Sequence, residues 1–305
     1  MKSSSVSSNI IRTYRSIKEN GRDFSSLKRE LHNVSQKGSF YVKQQLKYNS
    51  YRFTNPTAFK QLQDTIFIIY TMGKVGSTTL YSTLWEKVPH NSLYHVHFLS
   101  ERGMKKREEF SRNPDVTQDD RALASYIENN PHKRLKIITL VREPLSRDIS
   151  DLFQCLHIYF PNKKVDEISE VDLRGKLASN NFAFTLEWFD EEFKPYLKYD
   201  IYNIPFDKEK GYKIYTHETA DILLIRLEDL SRCYREALYE FVGIDFPELI
   251  NVNLTDNKDS AQLNKEFKRH LKLDKKLLEE LYASKFVRHF YSDREITQFI
   301  NKYSA

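Results

Sequence analysis

Sulfur is almost absent: the 305 residues hold two cysteines, Cys155 and Cys233. They stand far apart, with no CxxC spacing and no neighbouring histidine pair, which excludes a disulfide framework and a structural zinc site. Long apolar runs are missing too. Stretches such as Ile66–Tyr70 fall far short of the ~20 residues that a membrane-spanning helix needs. The Ser/Lys/Arg-rich Met1–Asn20 lacks the apolar segment of a secretory signal. These absences point to a soluble protein in a reducing, cytoplasmic setting, free or resting on the inner face of the membrane. Glycine is scarce as well. There are 8, where ordinary usage of ~7% gives roughly 21.

What is present sets the class. Hydrophobic residues make up 40% of the chain, with 20 Phe and 19 Tyr, enough for a large core and too many for a disordered chain. Lys and Arg exceed Asp and Glu by six, and the isoelectric point is near 9.0. That balance favours an anionic ligand without choosing among nucleotides, acidic glycans, nucleic acid and anionic membrane. Two of the few glycines, Gly73 and Gly76, fall together directly after an apolar run. A glycine-poor chain that spends two there needs its backbone to approach something closely.

Residues 1–63 are polar and basic, with weak helical periodicity over 24–46 and no strand signal. They read as a helical or partly disordered extension that could dock on the domain, pair with another subunit or rest on a membrane surface; Phe40, Tyr41, Tyr48, Tyr51 and Phe53 favour docking. From residue 64 to 305 the chain reads as one α/β domain. Continuous apolar runs over 65–71, 135–142 and 221–227 predict strands buried on both faces, and 92–99 predicts another. Helical patterns lie between them over 77–86, 117–129, 145–158 and 182–197, and the C-terminal third is helical. A capping box from Ser292 to Glu295 opens the last helix. Alternating strands and helices predict a mainly parallel central sheet flanked by helices. Sheets of that kind bind ligands beyond the carboxyl ends of their strands.

Three strand ends carry chemistry. After the first comes Gly73-Lys74-Val75-Gly76-Ser77-Thr78-Thr79, a loop entering a helix, where backbone N–H groups, Lys74 and three hydroxyls can face an anion. It is not a Walker A loop: Lys74 precedes Gly76, and Val75 replaces the magnesium-binding hydroxyl. A loop with a surface lysine would leave the same letters. After the third strand, Arg142 precedes Glu143-Pro144 and Ser150 follows two turns into a helix, an arginine fork plus a hydroxyl suited to a terminal phosphate. A structural ion pair from Arg142 to Glu143 or Asp148 is the alternative. Tyr94-His95-Val96-His97 puts both histidines on one face of a strand, as a general base and a residue that positions it. No third ligand at suitable spacing supports a metal site.

Together these segments resemble the sulfotransferases that use 3′-phosphoadenosine 5′-phosphosulfate. Lys74-Val75-Gly76-Ser77-Thr78-Thr79 matches their K-x-G-[ST]-[ST] loop, which holds the 5′-phosphosulfate. Arg142 and Ser150 match the arginine–serine pair that holds the 3′-phosphate, with Glu143 in place of the usual Asp. Tyr94–His97 resembles the Y-H-x-H strand of uronyl 2-O-sulfotransferases, whose second histidine is the base. Segments such as Trp188-Phe189-Asp190, Leu227–Leu230 and His289–Ser292 resemble bacterial sulfotransferase-like proteins labelled as capsular polysaccharide synthesis proteins. The resemblance covers roughly residues 64–303.

It implies a P-loop-like fold and metal-independent transfer of a sulfuryl group to a carbohydrate hydroxyl, leaving adenosine 3′,5′-bisphosphate. His97 would be the base, Lys74 and the loop would stabilise charge, and His95 would orient its neighbour or touch the acceptor. Arg102, Lys105, Lys106 and Arg107 could meet an acidic glycan, or form only a solvated helix face. Trp188 and Phe189 could stack on a sugar, though a 3.6-residue stripe suits Phe189 to the core. The rival readings are a P-loop kinase or NTPase acting on a small molecule, and a non-catalytic module binding acidic glycan or nucleic acid. The latter leaves the motif spacing unexplained and lacks the aromatic–basic interleaving of single-strand binders, so no nucleic-acid partner is expected.

Overall fold

The computed structural model describes residues 60, 62, 64–89, 92–179, 182–250 and 258–304. The chain forms two compact units, Met1–Asp64 with Val88–Leu93, and Thr65–Lys87 with Tyr94–Ala305. The extension over 1–63 and its docking aromatics lie outside the described residues, Lys60 and Leu62 apart.

Five strands form one sheet in the order β2-β1-β3-β5-β4. β1 (Thr65–Tyr70) and β5 (Ala220–Arg226) are buried at every position, and β3 (Arg134–Val141) is buried over its last five. These are the β-branched, apolar runs of the sequence, and they take the centre because both of their faces are covered. β1 pairs with β3 and β3 with β5 in parallel, Ile68 facing Ile137 and Ile137 facing Ile222. Each such fully buried Ile contributes about 1.5–3 kcal/mol by leaving water.

Two strands differ from expectation. β2 (Leu93–Val96) stops before His97. β4 (Tyr212–Thr216) carries no continuous apolar run, because it is an antiparallel edge strand on β5 whose Lys213 and Ile214 are half-buried.

The helices follow local chemistry. α1 (Ser77–Trp85) begins directly after the glycine loop. Ser100 caps α2 (Glu101–Ser111) by accepting from the Gly103 amide, and α3 (Gln118–Glu128) leads into β3. α4 (Pro144–Gln154) has proline in its first turn and the Glu143 carboxylate accepting from the Leu145 and Ser146 amides, both at 2.8 Å. It ends at Cys155, and a separate turn runs over Leu156–Tyr159, where one helix was expected to reach Ile158. α5 (Glu170–Ser179) follows.

The expected helix over 182–197 is broken into α6 (Ala183–Trp188), a π turn (Phe189–Phe193) and a last turn (Lys194–Leu197). The wider π turn accompanies an inward Glu192, which is 2% exposed and accepts from the Leu99 and Ser100 amides at 2.6 and 2.8 Å and from the Tyr70 hydroxyl. A buried carboxylate with that many donors replaces its water completely. α7 (Leu230–Val242), α8 (Lys258–His270), α9 (Lys275–Tyr282), α10 (Lys285–Phe290) and α11 (Asp293–Tyr303) complete the chain. The capping box at Ser292 and Glu295 forms as read. Among the described residues no helix is long and apolar enough to cross a membrane.

Candidate functional site

Residues just past β1, β2, β3 and β5 line one cleft of about 680 Å³: Gly73 and Lys74, His97, Arg142 and Leu227. α4 adds Ser150, Asp151, Phe153 and Gln154, and α8 adds Ser260, Ala261 and Asn264.

The loop after β1 is shaped from both ends. Thr71 Oγ1 donates to the Leu140 carbonyl at 3.0 Å and accepts from the Leu140 amide at 3.2 Å, tying the end of β1 to β3. Lys74 and Gly76 both take left-handed backbone, φ 71° and 83°. At Gly76 a Cβ would stand 2.5 Å from Leu227 Cδ1, so the position needs glycine on conformation and on space. Val75 buries its side chain completely and anchors the turn. Arg147 Nε donates to the Gly73 carbonyl at 2.9 Å and Arg142 Nη1 to the Lys74 carbonyl at 3.0 Å. With both carbonyls held there, planar trans peptides turn the N–H groups of Lys74 and Val75 the opposite way. α1 then starts with no side-chain cap; the Thr79 amide donates to the Gly76 carbonyl at 3.2 Å, and the Ser77 and Thr78 amides ahead of it are left to a ligand or solvent.

The cations here are short of counter-charge. Lys74 donates to the Gln154 amide oxygen. Burial holds its ammonium below the usual lysine range; Asp151 opposes that shift, while Arg142 and Arg147 push it further down. Arg142 pairs with neither Glu143 nor Asp148. The Glu143 carboxylate is taken by helix amides and by the Tyr282 hydroxyl at 2.7 Å, and Asp148 by Arg147 at 3.0 Å. Lys268 on α8 is also held below the usual lysine range, by desolvation and then by the charges of Arg142, Lys302 and Lys74. An arriving anion relieves this mutual repulsion.

The two histidines differ. His97 Nδ1 lies 2.7 Å from the Thr71 carbonyl oxygen, which can only accept, so Nδ1 carries the proton and Nε2 the lone pair. A methyl group on Gly73 would meet that Nε2 at 3.9 Å, which places the lone pair beside the loop. Burial lowers the His97 pKa, the Thr71 hydrogen bond partly restores it, and the charges of Arg107, Arg147 and Lys74 lower it again. His95 is pushed down to about 3 by burial and then by His97. Its ring stands edge-on to His97 at 5.1 Å and stacks near Tyr81 at 5.7 Å. Among the described residues its buried Nε2 finds no hydrogen-bond partner. The group that orients His97 is thus the Thr71 carbonyl.

Of the residues singled out in the sequence, Lys74, Gly76, Ser77, Thr78, Thr79, His95, His97, Arg142 and Ser150 line the cleft together. Arg102, Lys105 and Trp188 do not. Arg102 pairs with Glu191 at 2.7 Å, Lys106 with the same carboxylate, Lys105 with Glu101 at 3.8 Å and Arg107 with Asp120 at 2.6 Å, so acidic neighbours neutralise the basic run of α2. Trp188 is 2% exposed and packs edge-on to Tyr70 and Phe189, at 5.3 and 5.2 Å. Sequence reading passed over Arg147, Asp151, Gln154 and Asn264. The first three had a signal: with Ser150 they recur at helical spacing as a polar stripe between Ile149, Leu152 and Phe153.

A family model matches part of the chain. It is described as "Putative capsular polysaccharide synthesis protein" and matches residues 162–292, under half of the length. Leu227, Ser260, Ala261 and Asn264 of the cleft fall inside that stretch; the glycine loop, both histidines, Arg142 and Ser150 precede it. None of the curated proteins and none of the solved structures matches the chain.

Proposed function

We propose that the protein is a carbohydrate sulfotransferase with a P-loop-like fold, moving a sulfuryl group from 3′-phosphoadenosine 5′-phosphosulfate to a hydroxyl of a polysaccharide or its precursor. One observation carries this reading: an uncharged histidine with its lone pair beside the loop shares a cleft with Lys74, Arg142 and Ser150. The cleft volume suits a nucleotide. The desolvated Lys74 is a group that an anionic ligand would satisfy. The family-model match supports polysaccharide synthesis as the setting.

When bound, the donor supplies an activated sulfuryl group on a phosphate leaving group. In-line transfer of such a group asks the protein for positioning and charge neutralisation rather than covalent work. His97 Nε2 takes the proton of the acceptor hydroxyl as that oxygen bonds to sulfur. The imidazolium so formed keeps its Nδ1–H bond to the Thr71 carbonyl, which holds the ring in place throughout. Lys74, the loop amides and the hydroxyls of Ser77, Thr78 and Thr79 meet the charge that grows on the leaving oxygen. Arg142, which pairs with no carboxylate among the described residues, and Ser150 read the 3′-phosphate. His95, uncharged over the whole physiological range, faces the acceptor side as a neutral hydrogen-bonding group.

The test is transfer of radiolabelled sulfuryl from the donor to a panel of capsular and other acidic glycans in the presence of EDTA. Label in polysaccharide with the wild-type chain and none with His97→Ala supports the reading. Equal labelling by both removes the base, and no labelling of any acceptor removes the activity.

A further inference from the structure

A second hollow, of about 160 Å³, lies between α2 and α6. Its rim carries Arg102, Lys106, Glu187 and Glu191, and its apolar part is made by Phe98 and Phe184, whose ring centroids stand 6.1 Å apart. Phe184 is 41% exposed. A large exposed ring at the edge of a hollow marks a surface that a ligand covers.

The hollow adjoins the site described above. Phe98 directly follows His97 in the chain. Phe184 packs against Arg147, whose guanidinium carbon is 4.8 Å from the ring centre. Arg147 Nη2 and His97 Nε2 in turn flank one point, each 3.9 Å from where a Cβ on Gly73 would stand. His97 itself lines the large cleft and not this hollow. A sugar seated on Phe184 is therefore not the one whose hydroxyl meets Nε2; it is a neighbour of that sugar in a chain.

Charge decides which sugar. Arg102, at 2.7 Å, and Lys106 both pair with Glu191, and the exposed Glu187 adds a second carboxylate. The rim is balanced, without the excess of positive charge that would draw in a uronate. Hydroxyl groups suit it better: they donate to Glu187 and Glu191 and accept from Arg102 and Lys106, while the C–H face of a pyranose covers an aromatic ring.

We propose that the hollow at Phe98 and Phe184 is a subsite for an uncharged sugar residue next to the sulfated one, so that the acceptor is a glycan chain and not a single activated sugar. The chain's role as acceptor rests on the sulfotransferase reading above; its binding does not.

The experiment is calorimetric titration of the full chain, of Phe184→Ala and of Glu187→Ala. Each is titrated with adenosine 3′,5′-bisphosphate and then, with the bisphosphate present, with sugars. The sugar probes are neutral hexasaccharides of glucose, galactose, mannose and N-acetylglucosamine, the corresponding monosaccharides, and a hexamer of galacturonic acid. At least one neutral hexasaccharide is expected to bind the wild-type chain about tenfold or more tightly than its monosaccharide. Its affinity changes little with salt, because no net charge is used. Both variants weaken that hexasaccharide about tenfold, the scale of one covered ring or one hydrogen bond to a charged group, and keep the wild-type affinity for the bisphosphate.

Binding of the galacturonate hexamer alone, or a steep loss of hexasaccharide affinity with salt, overturns the uncharged subsite in favour of recruitment by charge. Equal affinity for monosaccharide and hexasaccharide overturns the chain. Binding of no neutral hexasaccharide, or unchanged affinity in both variants, overturns the subsite itself. Loss of the bisphosphate together with the sugar in both variants overturns it in favour of two structural residues. Failure of the sulfotransferase reading looks different: a wild-type chain that takes the neutral hexasaccharide and no bisphosphate upholds the sugar subsite while the donor assignment falls.

Discussion

The imidazole of His97 is held through Nδ1 by the carbonyl oxygen of Thr71 at 2.7 Å, and Thr71 is itself tied to β3 through two hydrogen bonds with Leu140. The tautomer of the proposed base is therefore fixed by the sheet, with no second side chain needed to orient it. A histidine used as a base works only when uncharged. Its pKa lies below the ordinary 6.5 because burial disfavours the charged ring. The acid limb of the rate profile is expected to fall at a lower pH than an ordinary imidazole would give. His97→Ala is expected to lower turnover by about 10²–10⁴ and to leave affinity for adenosine 3′,5′-bisphosphate nearly unchanged. A pH–rate profile of kcat/KM checks the first expectation; turnover and calorimetry of the variant check the second.

Lys74 and Arg142 separate by role. Lys74→Ala removes the ammonium from the loop, and both turnover and nucleotide affinity are expected to drop. Arg142→Ala is expected to act on recognition: affinity for adenosine 3′,5′-bisphosphate falls, while that for adenosine 5′-phosphate, which lacks the 3′ group, changes little. Competition binding with the two nucleotides reads this difference directly. Equal losses for both would move Arg142 from ligand recognition to support of the loop, through its bond to the Lys74 carbonyl.

Gly76 tests the loop backbone. At φ 83°, with Leu227 Cδ1 2.5 Å from any Cβ, Gly76→Ala meets left-handed strain of about 1–2 kcal/mol plus a displaced leucine. Chemical denaturation is expected to show a loss of at least that size, with weaker nucleotide binding. Unchanged stability would mean that the loop relaxes freely and is not the rigid cradle described.

The strand ends were legible before the fold was seen, because β1, β3 and β5 are continuous apolar runs and the residues that follow them include scarce glycine and unpaired basic groups. The histidine pair was legible as well, although β2 ends at Val96 and His97 is set by the Thr71 carbonyl rather than by strand alternation. Other features were hidden in the sequence. β4 is an edge strand with half-buried Lys213 and Ile214, so it carries no apolar run to announce it. The π turn at Phe189–Phe193 depends on a distant demand, the amides of Leu99 and Ser100 and the hydroxyl of Tyr70 converging on Glu192. Arg102 and Lys105 looked free because their acidic partners, Glu191 and Glu101, are assigned only by the fold. Asn264 reaches the cleft through packing of α8 at Phe153 and Phe267, which no local pattern encodes.

His95 makes stability depend on pH. Its pKa is near 3 in the folded chain against an ordinary 6.5, so between those values the unfolded chain binds a proton that the folded chain refuses. Its contribution is fully present above pH 6.5 and is lost as pH falls toward 3, at up to about 1.4 kcal/mol per pH unit for one proton. Urea denaturation from pH 7 to pH 4 is expected to show a shallower decline for His95→Leu than for the wild-type chain. Parallel curves would mean that His95 is solvated in the folded state.

The central claim is a nucleotide site that reads a 3′-phosphate with Arg142 and Ser150 and holds the other end on the Lys74 loop. Calorimetric titration in EDTA with adenosine 3′,5′-bisphosphate, set beside ATP with magnesium, tests it most directly. Micromolar, metal-independent binding of the bisphosphate with ATP much weaker is the predicted result. Tight magnesium-dependent binding of ATP, with the bisphosphate weak or silent, would contradict the account and assign the cleft to a kinase or NTPase.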